Sequence, residues 1–203
     1  KKTQEIFADI FHMMPTKQQK IASYDPSAIG LLNGKLFGLP FTPEESEVIV
    51  IPMPWEVTVS YRPGAARGPQ TMLDASPQVD LYLKGEPHVC NQGISLLPIS
   101  KMWMKKNKAL RAKANRCIRH LEKGGKPTDP KVRKLYQEIN AAGESLNQYI
   151  SSLSREWLEK GKKVCVLGGE HSVPLGFIRT LAKKHPRFSI LHIDAHADFR
   201  DAY

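Results

Sequence analysis

The sequence predicts an α/β protein with a mainly parallel sheet and helices on both faces. Short runs of apolar, β-branched residues recur along the chain and alternate with longer segments whose apolar residues have helical spacing. Polar, glycine or proline residues bound each run, which is typical of strands buried between helices. The 203 residues, 41% of them hydrophobic, suit one domain or a large part of one.

Strands and helices are predicted in alternation along most of the chain. The predicted strands cover 47–51, 94–99, 164–167 and 188–193. The predicted helices cover 68–83 with a kink or end at Pro77, 108–123, 131–160 with an interruption near Gly143, and the stretch from an N-cap at Ser172 through Pro174 to Lys184. Such alternation favours right-handed crossovers in a single parallel sheet.

Residues 1–46 are predicted to form an arm that precedes the sheet. Within this arm, Ile6, Phe7, Ile10, Phe11 and Met14 follow helical spacing and predict an amphipathic helix. We expect that helix to pack on its own core or on a neighbouring subunit. The chain has neither a signal-peptide pattern nor an apolar run near the roughly 18 residues that span a bilayer, so no membrane partner is expected.

Three cysteines give an odd count without a Cys-x-x-Cys spacing. A disulfide framework is therefore not expected, and a reducing cytoplasm is the predicted location. Cys165 falls in the middle of a predicted strand, where it is interpreted as a small buried hydrophobe. None of the three has a neighbour that would indicate a nucleophile.

The net charge of +10 comes from one segment. The segment from Lys101 to Lys134 contains thirteen Lys and Arg residues and only two acidic residues, so it alone carries a net charge of +11. Apolar residues recur at helical spacing between Lys108 and Lys123, with basic residues on the other face. A solvated helix face is the leading interpretation and an oligomer contact comes next. Nucleic acid is not an expected partner, because no aromatic interleaving accompanies the charge.

Two motifs carry the predicted chemistry. Asp194-Ala195-His196-Ala197-Asp198 follows the last predicted strand, and side chains two apart in an extended chain share a face. Asp194, His196 and Asp198 are therefore expected to converge on a divalent cation such as Mn²⁺. The alternative is a polar strand end whose acids cap a helix.

The second motif, Gly168-Gly169-Glu170-His171-Ser172, follows the strand predicted at 164–167. Its glycines allow a tight turn or a close backbone approach. His171 would then lie in the crevice at the carboxyl end of a strand, where open α/β sheets bind ligands. A lone histidine is more often structural, but a second strand end that carries Asp-x-His-x-Asp favours a site.

Together these motifs resemble the ureohydrolases of the arginase and agmatinase family. The similarity rests on Gly168–Ser172 and on His192–Asp198, in the family's order and spacing, and is supported by the stretch Tyr61–Pro69 with Asp74-Ala75-Ser76. It implies a three-layer α/β/α arginase-like fold. Residues 47–203 would be the amino-terminal part of the catalytic domain, with a basic helical insertion at about 101–134.

The resemblance also implies a binuclear metal site with two Mn²⁺, or alternatively Ni²⁺. His171 and Asp198 would bind one metal, His196 the other, and Asp194 both. A hydroxide that bridges the metals would attack the guanidinium carbon and release urea and an amine, and Asp198 is the candidate for moving the proton. The implied protein is a homo-oligomer, a trimer or hexamer.

The family pattern includes a later Asp-x-Asp motif, which this sequence does not contain before Tyr203. The chain is therefore expected to be truncated after its second metal-binding strand. The residues that read the substrate's tail are expected beyond it and are unknown. Trp55 and Tyr61 could face the pocket, although packing is the commoner role of loop aromatics.

Agmatine is the leading substrate, because Asp198–Tyr203 resembles agmatinases. Free guanidine, formiminoglutamate, guanidinobutyrate and arginine stay open. Histone deacetylases share the architecture but use a different acid and histidine pattern. A catalytically inactive arginase-like binding or scaffold protein is the non-enzymatic alternative.

Overall fold

The computed structural model describes residues 15–59, 61–86 and 88–198. The helix predicted between Ile6 and Met14 lies outside these residues, as does the agmatinase-like stretch after Asp198. In the described part of the chain, no helix is both long enough and apolar enough to cross a bilayer.

The described residues form a sheet of three strands, β1 (Val48–Met53), β2 (Ile94–Leu96) and β3 (Lys163–Gly168), and pair them all in parallel. Its order is β2-β1-β3, so the first strand of the chain is the central one. Parallel pairing was predicted from the alternation of elements and is confirmed. β2 is shorter than predicted, since Pro98 has no N–H to donate to a sheet.

Five α-helices accompany the sheet in the described part of the chain; the last four fall where helices were predicted, with some ends shifted, and the first, within the arm, was not predicted. They are α1 (Lys17–Ser23), α2 (Gly68–Ala75), α3 (Lys101–Glu122), α4 (Pro130–Glu159) and α5 (Leu175–Lys184). α2 gives way to a 3₁₀ turn that contains Pro77, and α4 continues without a break through Gly143. α3 begins earlier than predicted because the Ser100 hydroxyl accepts a hydrogen bond from the Trp103 amide and caps its first turn.

The strand predicted at 188–193 is wrong for the described chain. No residue of this segment pairs with the sheet, and its apolar side chains face solvent, with Leu191 85% and Ile193 86% exposed. Apolar composition suits a buried strand, but such a strand also needs a pairing edge and cover on both faces. The described residues provide neither around this segment.

Two local predictions at β3 and α5 are also wrong. Cys165 is exposed rather than buried, because β3 is an outer strand of the described sheet and leaves one face uncovered. Ser172 does not cap α5, which begins only after Pro174. Its hydroxyl instead donates to the Glu170 carboxylate at 3.0 Å, and this local hydrogen bond competes with a capping role.

The main core lies between the sheet and the long helices α3 and α4. Its buried members come from β1, from the loop after β1 and from both helices, and include Met53, Trp55, Val57, Trp103, Leu110, Leu146 and Ile150. A second cluster joins the arm to the loop before β2 through Leu39, Phe41 and Cys90. The carboxyl ends of β1 and β3 therefore rest on a packed base.

Candidate metal centre

The turn after β3 is pressed against the loop after β1. A Cβ atom added to Gly169 would lie 1.9 Å from the carbonyl oxygen of Trp55, so only glycine fits at this position. The Glu170 amide donates to that same Trp55 oxygen at 3.1 Å. The close backbone approach that the glycine pair predicted is therefore confirmed.

The Glu170 carboxylate fastens the turn on its other side. One carboxylate oxygen accepts from the Thr58 amide at 3.0 Å, and the other accepts from the Ser172 hydroxyl at 3.0 Å. These bonds leave the neighbouring His171 free to project from the turn, with 72% of its side chain exposed. The imidazole thus stands at the carboxyl end of β3 and faces the segment 192–198.

Two histidines and two aspartates meet at this point. His171, His192, Asp194 and Asp198 each offer one ligand atom, and these four atoms all lie within 4.8 Å of one another. The His171 Nδ1 is 3.0 Å from an Asp198 carboxylate oxygen, and its Nε2 is 3.6 Å from Asp194. The His192 Nε2 lies 3.8 Å from that same Asp194 oxygen.

His196 occupies a different position from the one expected for an extended chain. The chain bends at Ala195 and His196, and the His196 amide donates to the Asp194 carboxylate at 2.8 Å. This is the local turn that aspartate side chains favour, and it breaks the alternation on which the prediction relied. The His196 ring is 81% exposed and its Nδ1 lies 3.4 Å from Asp194.

Asp198 also departs from extended geometry. Its φ of +52° lies in the left-handed region, which aspartate tolerates better than most residues. Asp198 still reaches His171 from this conformation. The structure thus brings His171, Asp194 and Asp198 together, while His196 stays at the edge of the group and contacts the second oxygen of Asp194.

The pKa of the Asp194 carboxyl is lowered from its ordinary value. The largest cause is the hydrogen bond from the His196 amide; partial burial opposes it, and the neighbouring His171 and His192 lower the pKa further. The carboxylate therefore stays ionised at neutral pH. An ionised carboxylate that is only 20% exposed, among imidazoles, is a strong potential metal ligand.

His192 is the member of the cluster that sequence reasoning missed. It precedes Asp194 by two residues, the same interval that separates Asp194 from His196 and His196 from Asp198. The two-residue rule applied to the motif could therefore have been extended backwards by one step. Its sequence signal is masked because His192 lies inside the run interpreted as a buried strand.

The two aromatic residues that could face the pocket have different environments, and the packing alternative holds for one of them. Trp55 is buried and sits edge-on to Trp103, with ring centroids 5.7 Å apart. Tyr61 is exposed, and its ring contacts the Arg62 guanidinium.

The glycine-rich loop is held by the Glu56 carboxylate. This carboxylate accepts hydrogen bonds from the amides of Gly64 and Ala66 at 2.5 and 3.0 Å.

The donor set fits a divalent cation. Imidazole nitrogens and carboxylate oxygens suit Mn²⁺ or Ni²⁺, whereas a thiolate-seeking metal would call for cysteine, and no cysteine belongs to this cluster. His171, His192 and Asp198 are open to solvent, which leaves a route for a metal and a substrate. The arrangement can hold cations beside water and a small polar molecule.

A family model described as the arginase family matches residues 46–203. No solved structure matches the chain significantly.

Several curated proteins are similar to the chain. An agmatinase of Bacillus anthracis is 29% identical over 160 residues, which cover 79% of this chain and 43% of that protein. An N(1)-aminopropylagmatine ureohydrolase of Thermus thermophilus is 29% identical over 80% of this chain and 44% of its own length. A proclavaminate amidinohydrolase of Streptomyces clavuligerus is 25% identical over 79% and 41%, respectively. The chain thus spans less than half the length of these relatives.

Proposed function

We propose that this chain, which belongs to the arginase family, forms part of a ureohydrolase of the agmatinase type. The whole protein would hydrolyse a guanidinium C–N bond, with agmatine as substrate and urea and putrescine as products. One observation carries the proposal: two carboxylates and two imidazoles lie within 4.8 Å at the carboxyl end of β3. The agmatinase and aminopropylagmatine ureohydrolase among the relatives support the substrate class.

The proposed cofactor is a pair of divalent cations, Mn²⁺ or alternatively Ni²⁺. His171, Asp194, His196 and Asp198 would hold them, and His192 lies where it adds a further donor. When bound, such cations supply a nucleophile at neutral pH, because they lower the pKa of water from its bulk value towards 7. The ionised Asp194 carboxylate supports metal binding at that pH.

The residues around the site account for the rest of the reaction. The Asp198 carboxylate would accept a proton from the attacking water and return it to the departing amine, so that agmatine and water give urea and putrescine. Its contact with His171 at 3.0 Å holds the carboxylate in place. The two aspartates also favour a cationic guanidinium electrostatically over a neutral competitor.

We also propose a cytoplasmic homo-oligomer, a trimer or hexamer. All three cysteines are free, which supports a reducing compartment. Light scattering on the purified whole protein tests the oligomer, and a dominant monomer would contradict it.

The test of the function is urea release by the whole protein after metal removal and reloading with Mn²⁺ or Ni²⁺. Agmatine, guanidine, arginine and formiminoglutamate are offered in parallel. We expect Mn²⁺-dependent turnover of agmatine, reduced at least about 100-fold by His171→Ala or Asp194→Asn, because metal ligands are replaced.

His185→Ala is the matched control, since His185 is an exposed histidine just beyond α5 and outside the cluster. It should retain full activity. Preference for guanidine would replace the substrate and keep the chemistry. No product from any substrate with either metal would contradict the proposal and favour an inactive binding protein.

A further inference from the structure

Polar side chains of the basic helix α3 form hydrogen bonds with the loop that follows β1. The Asn107 side chain is buried, and its carbonyl oxygen accepts from the Glu56 amide at 2.7 Å. One turn further, the Arg111 guanidinium donates to the carbonyl oxygen of Val57 at 3.1 Å and to that of Val59. Three backbone polar groups of this loop, the Glu56 amide and the carbonyls of Val57 and Val59, are therefore paired with side chains of α3.

Apolar packing fixes the same loop to the same helix. Trp55 and Trp103 meet edge to face at 82°, and both rings are almost fully buried. Val57 is completely buried in the core that α3 and α4 share. The loop cannot shift away from α3 without opening this core.

The opposite side of the loop holds the turn that carries His171. The Trp55 carbonyl accepts from the Glu170 amide, and the Thr58 amide donates to the Glu170 carboxylate. Gly169 lies in direct contact with the Trp55 carbonyl. Contacts therefore run without a gap from α3, through residues 55–58, to the residue adjacent to His171.

Arg111 differs from the other basic residues of its segment. Arg116, Arg119 and Lys123 are exposed on α3, whereas Arg111 is half-buried. Drawing a guanidinium out of water is costly unless hydrogen bonds replace the lost hydration. Two backbone carbonyls replace part of that hydration through one guanidinium nitrogen, so the placement of Arg111 points to a role that a merely solubilising charge would not have.

We propose that Asn107 and Arg111 are positioning residues for the metal centre: they hold the 55–59 loop against Glu170 and thereby keep His171 directed at Asp194 and Asp198. The proposal rests on the metal site proposed above. It gives α3 a part in the site, although the sequence alone presented this helix as a basic, solvated insertion. The residues act through the loop and touch neither metal nor substrate.

The experiment measures Mn²⁺ affinity of the metal-stripped whole protein, by the electron paramagnetic resonance of free Mn²⁺. Arg111→Met keeps the apolar stem and removes the donors. We expect it to raise the Kd about tenfold, as loss of support around metal ligands commonly does. Arg111→Lys, which can still donate to the two carbonyls, should stay within about threefold of wild type.

Arg116→Met is the matched control, because it removes the same charge from the exposed face of the same helix. It should leave the Kd unchanged. If Arg111→Met lowers the Tm of the metal-free protein but binds Mn²⁺ like Arg116→Met, α3 has only a structural role and the proposal is overturned.

A second measurement on the wild-type protein covers the case in which Arg111→Met does not fold. Coupling is reciprocal, so Mn²⁺ should slow hydrogen exchange at the Glu56 and Thr58 amides at least severalfold. The Val132 amide, at the start of α4, is the internal control and should not change. Mn²⁺ binding without slower exchange in the loop would overturn the positioning role and leave the metal site standing. Wild-type protein that binds no Mn²⁺ would overturn both.

Discussion

The two halves of the candidate metal centre are held in opposite ways. The turn 168–172 is locked by backbone contacts to the loop after β1, and that loop rests on the main core. The segment 188–198 carries three of the four clustered ligands, but its apolar residues face solvent and it adds no strand to the sheet. His171 is thus placed by tertiary packing, whereas His192, Asp194 and Asp198 are placed by local turns and by their contacts with His171.

This difference shows that the residue type of a candidate metal ligand does not determine how firmly the surrounding structure holds it. The carboxylates on 188–198 attract a cation by charge, which acts over several ångströms. Packing acts only at contact and gives the turn 168–172 its fixed geometry. Substitutions that disrupt packing should therefore lower the free energy of unfolding strongly in the half that rests on the core and hardly at all in the segment 188–198.

The largest expected effect is the difference in stability between alanine substitutions at two isoleucines. Ile51→Ala, in the fully buried centre of β1, should lower the free energy of unfolding by about 2 to 5 kcal/mol. Ile193→Ala, at an exposed position, should change it by no more than about 0.5 kcal/mol. Urea unfolding of both variants measures the difference. Equal losses would show that 188–193 is covered and would break the comparison.

A smaller effect separates two glycines. Gly169→Ala should lower the free energy of unfolding by about 1 to 3 kcal/mol, because the new methyl group meets the Trp55 carbonyl. Gly143→Ala should raise it by about 1 kcal/mol, since Gly143 lies inside α4 with open space around it. Thermal unfolding of the two variants and of the wild type shows whether each substitution lowers or raises the free energy of unfolding. A harmless Gly169→Ala would contradict the close contact at the turn.

The smallest effect concerns charge in the packed half of the molecule. Burial alone would raise the pKa of Glu45, but hydrogen bonds from Lys20 and Thr42 outweigh it, and the pKa is lowered. Ionised Glu45 thus contributes stability above its unfolded pKa, near 4.5, and loses it as the pH falls through the lower folded value. Glu45→Gln should cost about 0.5 kcal/mol at pH 7 and flatten the acid loss of stability.

Urea unfolding of Glu45→Gln between pH 7 and pH 3 measures this dependence. Glu144→Gln is the control, because its partner Arg179 and the carboxylate are both half exposed at the surface. Solvent and salt screen such a pair, so the control should follow the wild-type profile more closely. An unchanged profile for Glu45→Gln would remove the contribution assigned to this ion pair.

Most of the fold could be predicted because its elements carry strong local patterns. β1 and β3 are short apolar runs between polar boundaries, and α4 keeps helical spacing over thirty residues. The same reasoning was wrong at 188–193, where composition resembled that of β1. Composition reports what a segment can bury, while burial depends on which neighbours are present to cover it.

The candidate site was predicted in part for the same reason. His171 follows a glycine pair that by itself indicates a turn, and the two aspartates lie four residues apart in the sequence. His196 was placed by an assumed extended backbone, which the Asp194 turn replaces with a bend. The roles proposed for Asn107 and Arg111 had no sequence signal, because their partners lie about fifty residues away.

The sequence by itself determined the parallel α/β class, the approximate positions of the four later helices and most residue types of the metal centre, since periodicity and short motifs act over a few residues. Only the tertiary structure decided that the Glu170 turn rests on the Trp55 loop, that α3 supports this loop, and that His192 joins the cluster while His196 stays at its edge. These outcomes depend on contacts between distant segments, whose geometry arises when the chain packs.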